Sequence, residues 1–525
     1  MRGRARRAGG IKERASFSRG AGLGVLSFGL ILLISLITQV VVARVYGVRV
    51  IGEFALAFAP TGAVWILSTV REQAALVREV AKLPPHAPQS TALFLAVLCF
   101  SFLLTLTVAA IAVPIVWLVF HGPIYEPQLV APAIVSLAGY VTVTNTCWNL
   151  DSMFSAYRAG ADLFWVRLDQ ALSYLALAVG ASLIVTSVWG PILAGIASWS
   201  IALAHRLLLA GRWIRWRVPR NELRAGFRAL PGLLRFGLKA TPGALSDGVT
   251  QESPTWILGS LTSVVAVGAY SRAWTVGLRL SELNYRVGEM LLPTLAERRA
   301  KGDREGFDRA LVDTVRYAAM VMLLPAAVGA GCRDGVMWLF GPGFEQAADA
   351  LAFILLIPVL FTMSSSQNMA LLALDRPWRS TAISAVRMVV VLGASIALTH
   401  AVGITGAAIG AVIGYSLEFL LQVRSTRRHL HSPLHVLWPA RQILGLLVAY
   451  PAAFLAAAVV AGPGHDLARL LLGLASGAIA YVVVLIGVGG LLERDRRRLD
   501  HGLRTIASAL RTTRSAPGRS TLADP

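Results

Sequence analysis

The sequence predicts an all-α polytopic membrane protein of about fourteen transmembrane helices: two six-helix lobes around a central cavity, plus two extra C-terminal helices. Three observations carry this. Of 525 residues, 56% are hydrophobic and 15% are charged, where a soluble chain carries about 25% charged residues. Apolar runs of about 20 residues, enough to cross a hydrocarbon core of about 30 Å, recur from Leu23 to Leu492. Finally, of 49 Lys and Arg residues, 42 fall on one side of the predicted helices and four on the other.

The spans run near 20–44, 52–70, 91–119, 128–151, 163–188, 191–211, 235–262, 264–292, 311–331, 346–374, 380–401, 404–423, 439–461 and 467–492. The basic residues cluster at 1–19, 71–82, 158–167, 206–239, 298–316, 376–387, 424–441 and 494–519, all on one side. The other side holds only Arg44, Arg49, Arg333 and Arg469. A miscounted helix would invert this bias downstream of the error. The asymmetry therefore supports fourteen spans with both termini cytoplasmic in the cell membrane. The basic segment 1–19 resembles a signal peptide, but the run Leu23–Ala43 exceeds a signal-peptide core and no small-residue cleavage site follows. It is read as a retained first helix.

The expected organisation is a basic cytoplasmic N-terminus (1–19), an N-lobe (20–211), a basic linker (212–234), a C-lobe (235–423), two appended helices (439–492) and a basic disordered tail (493–525). The linker and the loop 293–310 read as partly amphipathic. The net charge of +21 would suggest nucleic acid in a soluble chain. Here it follows from membrane topology, with anionic headgroups as secondary partners and no nucleic acid. Cys99, Cys147 and Cys332 form no CxxC. No disulfide framework, metal site or cofactor is expected. None of the four lysines follows a glycine, and HExxH is absent. No large outer loop carries a catalytic acidic pair. Bond-making chemistry is disfavoured and transport remains.

An internal repeat points the same way. Gly52-Glu53-Phe54-Ala55-Leu56-Ala57 opens the second span, and Gly268-Ala269-Tyr270-Ser271-Arg272-Ala273 occupies the same place in the eighth. The offset covers six spans, an even number, so the two halves share one orientation. Parallel repeats of this kind occur in transporters working by alternating access.

Charged residues inside the spans nominate the site. Arg272, Thr275, Arg279, Glu282, Arg286 and Glu289 are spaced 3, 4, 3, 4 and 3, which places them on one helix face. Arg279 lies about 22 Å along its helix, at mid-membrane. Each such charge costs at least about 2.5–3.5 kcal/mol against lipid, so the stripe faces protein or water. Internal ion pairs are one reading. The other is an anion-binding wall, because the guanidinium fork meets phosphate oxygens bidentately. Lys239 and Arg44 are added to the anion site. Asp247 and Glu252, between expected kinks at Pro242 and Pro254, join Glu282 as candidates for charge balance or proton coupling. Gln39, Asn145, Asn149, Gln367 and Asn368 are candidate cavity polar groups, with interhelical hydrogen bonding as the alternative for the last two.

Several segments taken together resemble the polysaccharide flippases of the Wzx/RfbX type, in the multidrug/oligosaccharidyl-lipid/polysaccharide (MOP) exporter superfamily. They are Ala43-Arg44-Val45-Tyr46-Gly47 with Gly52-Glu53-Phe54, Arg78-Glu79-Val80-Ala81, Leu234-Arg235-Phe236-Gly237, Val267 to Ala273, Leu292-Pro293 with Lys301-Gly302-Asp303, Leu339-Phe340-Gly341 and Gly403 to Ala408. The resemblance covers roughly 20–430. It implies flipping of a polyprenyl-diphosphate-linked oligosaccharide to the outer leaflet for cell-surface polysaccharide synthesis. A polysaccharide polymerase and glycosyltransferases are the implied partners. The chain departs from many relatives at Pro254-Thr255, where they carry Asp-Arg, and at Thr275, where a basic residue is common. A lipid II flippase of peptidoglycan synthesis, a drug/cation antiporter of the same superfamily and a noncatalytic scaffold of a glycan-assembly complex are the alternatives.

Overall fold

In the computed structural model, the described residues are 2–490 without 71, 125, 158, 239–240, 432–437 and 463–465. Side chains are further undescribed at 2–28, 74, 236–237, 242, 244 and 282–290. The predicted tail 493–525 and Lys239 thus lie outside the described residues, as do the side chains of Glu282 and Arg286.

The described chain is built from helices: α1 (Arg2–Leu67), α2 (Glu72–Val80), α3 (Pro88–His121), α4 (Val130–Val135), α5 (Val141–Ala156), α6 (Gly160–Ser182), α7 (Trp189–Ala210), α8 (Arg220–Leu238) and α9 (Thr241–Leu261). They continue as α10 (Val264–Ala300), α11 (Arg304–Gly331), α12 (Arg333–Trp338), α13 (Ala348–Ile354), α14 (Leu356–Ala373), α15 (Pro377–Val402), α16 (Ile404–Arg427), α17 (Ala440–Ala461) and α18 (Leu467–Gly487). Among the described residues, ten helical stretches are long and apolar enough to cross a membrane.

These ten account for eleven predicted spans. The first two are one stretch, Gly29–Leu67. Their connection, expected at 45–51, contracts to a kink at Gly47 (φ 77°, ψ 166°), a conformation that a side chain would resist. The other three predicted spans are helical in α6, α9 and α10. Polar and charged side chains lower their hydropathy, as Asp162, Arg167 and Asp169 do in α6. Charge inside a spanning helix is affordable where it faces protein.

Local signals explain the boundaries. Pro88 and Pro377 stand at the first helical position of α3 and α15, where a missing N–H costs nothing. Ser263 and Asp303 cap α10 and α11 by accepting from the Ala266 and Gly306 amides, at 3.2 and 2.9 Å. Gly403 and Gly462 end α15 and α17 at positive φ. Pro242 belongs to the first turn of α9 and kinks nothing; Pro254 is the interior proline.

Neighbouring long helices pack as hairpins, as in α6–α7, α15–α16 and α17–α18. One end of the bundle holds the Gly47 kink and the α9–α10 turn. The opposite end holds Lys82, α2 and α8. The main apolar core runs from Val42 and Leu56 through Tyr270 and Phe340 to Tyr481, and a second one gathers Leu76, Phe94, Leu150 and Leu233. The appended helices pack on each other through small residues, a Cβ on Gly473 or Gly477 sitting 2.8 Å from Ala461 or Ala457 Cβ, and on α11 likewise, a Cβ on Gly331 sitting 2.8 Å from Ala457 Cβ. Such seams let membrane helices gain dispersion contacts without a hydrophobic drive. Leu447, Val459 and Ile479 point away from that seam and are exposed, as lipid-facing residues should be.

Three arginines counted from sequence with the basic inner segments are buried within helices. Arg206, Arg316 and Arg387 are the largest fully buried side chains among the described residues. Each has a carboxylate beside it. Arg206 of α7 holds Asp151 of α5 through both oxygens, at 2.7 and 3.3 Å. Arg316 lies 3.3 Å from Asp313.

Candidate functional site

The two halves of the chain meet at the Gly47 end through the repeated glycines. A Cβ on Gly52 would overlap the Val264 carbonyl, and a Cβ on Gly268 would overlap the Val48 carbonyl. Each glycine thus touches the residue four positions before its counterpart. The contact is reciprocal, as in an interface about a two-fold axis. Glycine is required because only a missing side chain lets α1 and α10 backbones approach this closely. Further along α1, Gly62 faces the Glu252 carboxylate and Ile66 faces Gly248, both on α9. Thr61 bonds Ser136 at 2.9 Å. Ser136 opens a π-turn, Ser136–Tyr140, a helix defect frequent at functional sites.

Arg272 sits one turn beyond Gly268 and is 5% exposed. Its Nη1 donates to Gln39 Oε1 of α1. Its Nε is buried and has no hydrogen-bond partner. Tyr174 of α6 and Arg279 lie within electrostatic range. No carboxylate pairs with Arg272 among the described residues. An unneutralised buried cation with a spare donor is suited to an incoming anion. Arg279 is half-buried on the same face, within range of Tyr140. Two of the predicted groups, Arg272 and Gln39, are therefore joined across the seam.

The two nominated carboxylates have different surroundings. Asp247 of α9 is committed to Arg387, which is 1% exposed and bonds Glu418 of α16 at 2.7 Å with its other nitrogen. The Tyr415 ring lies 4.9 Å from the guanidinium. Asp247 balances charge, but the arginine it balances is Arg387 and not one on α10. Glu252 has no ion-pair partner among the described residues and faces the Gly62 backbone across the seam.

The Arg387 triad continues as a polar zipper. Ser384 donates to Glu418 at 3.3 Å, Gln422 to Ser380 at 3.4 Å, Ser380 to Asn368 at 2.5 Å and Thr426 to Gln367 at 2.6 Å. Gln367 and Asn368 thus tie α14 to α16 and α15. Arg387→Met would leave two carboxylates uncompensated, a loss of about 3–5 kcal/mol for a broken buried pair. The expected result is a lowered thermal midpoint in detergent, with most of it restored by adding Asp247→Asn and Glu418→Gln. An unchanged midpoint in Arg387→Met would contradict the triad's structural role.

Asn145 and Asn149 are also interhelical ties. Asn145 donates to Thr105 at 2.6 Å and Asn149 to Ser101 at 3.2 Å, joining α5 to α3. Ser101 in turn donates to Glu72 at 2.6 Å. Glu72 is fully buried and also accepts from the Val70 amide at 2.8 Å. Arg44, exposed at the Gly47 end, donates to the Leu339 and Trp338 carbonyls at 2.7 and 3.2 Å and stacks on the Trp338 ring. It caps α12 and stands apart from Arg272.

Residues 17–298, over half of the chain, match the family described as "Polysaccharide biosynthesis protein". The chain belongs to this family. "Probable flippase AglR" of Haloferax volcanii is 25% identical over 187 residues, covering 34% of this chain and 39% of that protein. The match therefore spans well under two thirds of that relative's length. Among solved structures, lipid II flippase MurJ in an inward closed conformation superposes with a TM-score of 0.67 at 11% identity, over 88% of this chain and 97% of that one. An inward-facing multidrug-resistance MATE transporter of the MOP superfamily gives 0.56 at 16% identity, over 78% and 94%. A MOP superfamily transporter from Pyrococcus furiosus gives 0.55 at 14% identity, over 77% and 95%. These likenesses show the fold: the chain is a multi-pass membrane protein with the MOP transporter architecture.

Proposed function

We propose that the chain is a flippase, not an enzyme, which carries polyprenyl-diphosphate-linked oligosaccharide across the cell membrane for polysaccharide biosynthesis. The observation that carries the proposal is Arg272: a buried guanidinium with a free Nε and no carboxylate among the described residues. The diphosphate supplies the missing anion, with Arg279 beside it. Membership of a polysaccharide biosynthesis family supports the glycan. In this reading, 20–211 and 235–423 are two lobes that rock about the seam, and both termini are cytoplasmic. The Gly52–Gly268 contact is then the closed gate at the outer end. Glu252, unlike Asp247, is available to carry a coupling proton.

Proteoliposomes containing the chain test this with a fluorescent polyprenyl-diphosphate oligosaccharide. Flipping is expected, quickened by a proton gradient in the wild type and indifferent to it in Glu252→Gln. No flipping would refute the function, and a Glu252→Gln chain still driven by the gradient would remove Glu252 from coupling. Lipid II is the second reading, favoured by the extent of the MurJ superposition. Competition between the two lipids in the same vesicles separates them.

A further inference from the structure

The segment entering and forming α8 carries a surface that the transport reading does not use. Between Arg212 and Leu238 there is one acidic residue, Glu222. Arg212 pairs with Asp162 at 3.3 Å. Arg215, Arg217, Arg220, Arg224, Arg228 and Arg235 are exposed and make no ion pair among the described residues. Spacings of 4, 4 and 7 put the last four on one helix face. Phe227 and Leu238 share that face and are 42% and 53% exposed, with Trp216 ahead of them at 44%.

The docking of α8 fixes the depth of this face. Gly226 is buried with its Cα against the Ala92 carbonyl, where an added Cβ would sit 2.6 Å from that oxygen. Ala92 is about one turn into the membrane helix α3. Leu233 is buried in one cluster with Leu93 and Phe94 of α3. So α8 lies across the Lys82 end at the level where a membrane helix begins. There, arginines flanking exposed aromatic and aliphatic side chains match a phosphate layer over acyl chains. Nucleic acid would match the charge but leave Phe227, Leu238 and Trp216 in water.

We propose that this face binds the phosphate headgroups of anionic phospholipid. The full chain is purified in mixed micelles of equal phosphatidylglycerol and phosphatidylcholine, and retained lipids are counted by native mass spectrometry. The wild type is expected to favour phosphatidylglycerol about fivefold. The variant Arg220→Gln/Arg224→Gln/Arg228→Gln is expected to bring the ratio near unity, with its thermal midpoint in phosphatidylcholine unchanged. High salt should act as the variant does. If the triple variant inserts poorly, Arg224→Gln alone should give a smaller fall in the same direction. A wild-type ratio near unity, or the wild-type ratio retained in the variant, overturns the proposal. Nucleic acid that copurifies and leaves with salt, while lipid shows no preference, overturns it too.

Discussion

Arg272→Ala is expected to cut export about a hundredfold while the chain stays folded in the membrane. A charge-assisted hydrogen bond contributes about 1.5–3 kcal/mol, and about 1.4 kcal/mol is tenfold. A diphosphate bound by two nitrogens of the fork loses both bonds at once. The structural cost is small, because Arg272 makes one hydrogen bond, to Gln39, and alanine leaves no charge stranded. Arg272→Lys should fall between, since it keeps charge and loses the planar fork. Arg279→Ala should cost about tenfold, being half-buried and one partner among two. A surface-polysaccharide reporter in cells dependent on this chain reads the effect, with membrane abundance measured alongside. Normal export by Arg272→Ala at normal abundance would remove the anion site from α10.

Gly268→Val is expected to open the Gly47 end and stop transport. Its Cβ cannot share space with the Val48 carbonyl and would come within 2.9 Å of the Gly52 amide nitrogen. Both obstacles are backbone, so no rotamer change relieves them and α1 must part from α10. Overpacking a tight contact costs about 1–3 kcal/mol, enough to shift a two-state equilibrium about fivefold to a hundredfold in population. Spin labels at Val45 and Thr262, both exposed beside the seam, should show longer distances in Gly268→Val. The reciprocal geometry demands that Gly52→Val do the same. An unchanged distance distribution in both would mean that the seam is a fixed packing contact.

The seam was legible because repetition is a property of sequence. The shared Gly-x-aromatic-small-x-Ala pattern named both glycines, although not that they meet. Arg272 was legible from its spacing and membrane depth, and Gln39 from its place on the first helix. The buried triad was not. Arg387 is ten residues into α15, near enough to the basic end to look like a topology signal. Glu418 is a lone acid in an apolar helix. A signal did exist: Ser380, Ser384 and Arg387 on one helix, and Glu418, Gln422 and Thr426 on the next, recur every three or four residues. Two polar stripes on consecutive helices imply a shared interface. Asn145 and Asn149 show the opposite limit. Periodicity placed them on one face, but whether a face meets a cavity or another helix is decided by packing, which no single helix encodes. The same ambiguity surrounds Arg44, whose partners are two carbonyls almost 300 residues away.

The most direct test is to purify the chain gently and identify the lipid that stays bound, by native mass spectrometry. The account predicts a polyprenyl diphosphate bearing sugars, retained by the wild type and lost in Arg272→Ala. Retention of that lipid by Arg272→Ala, or phospholipid alone at full occupancy, would contradict it.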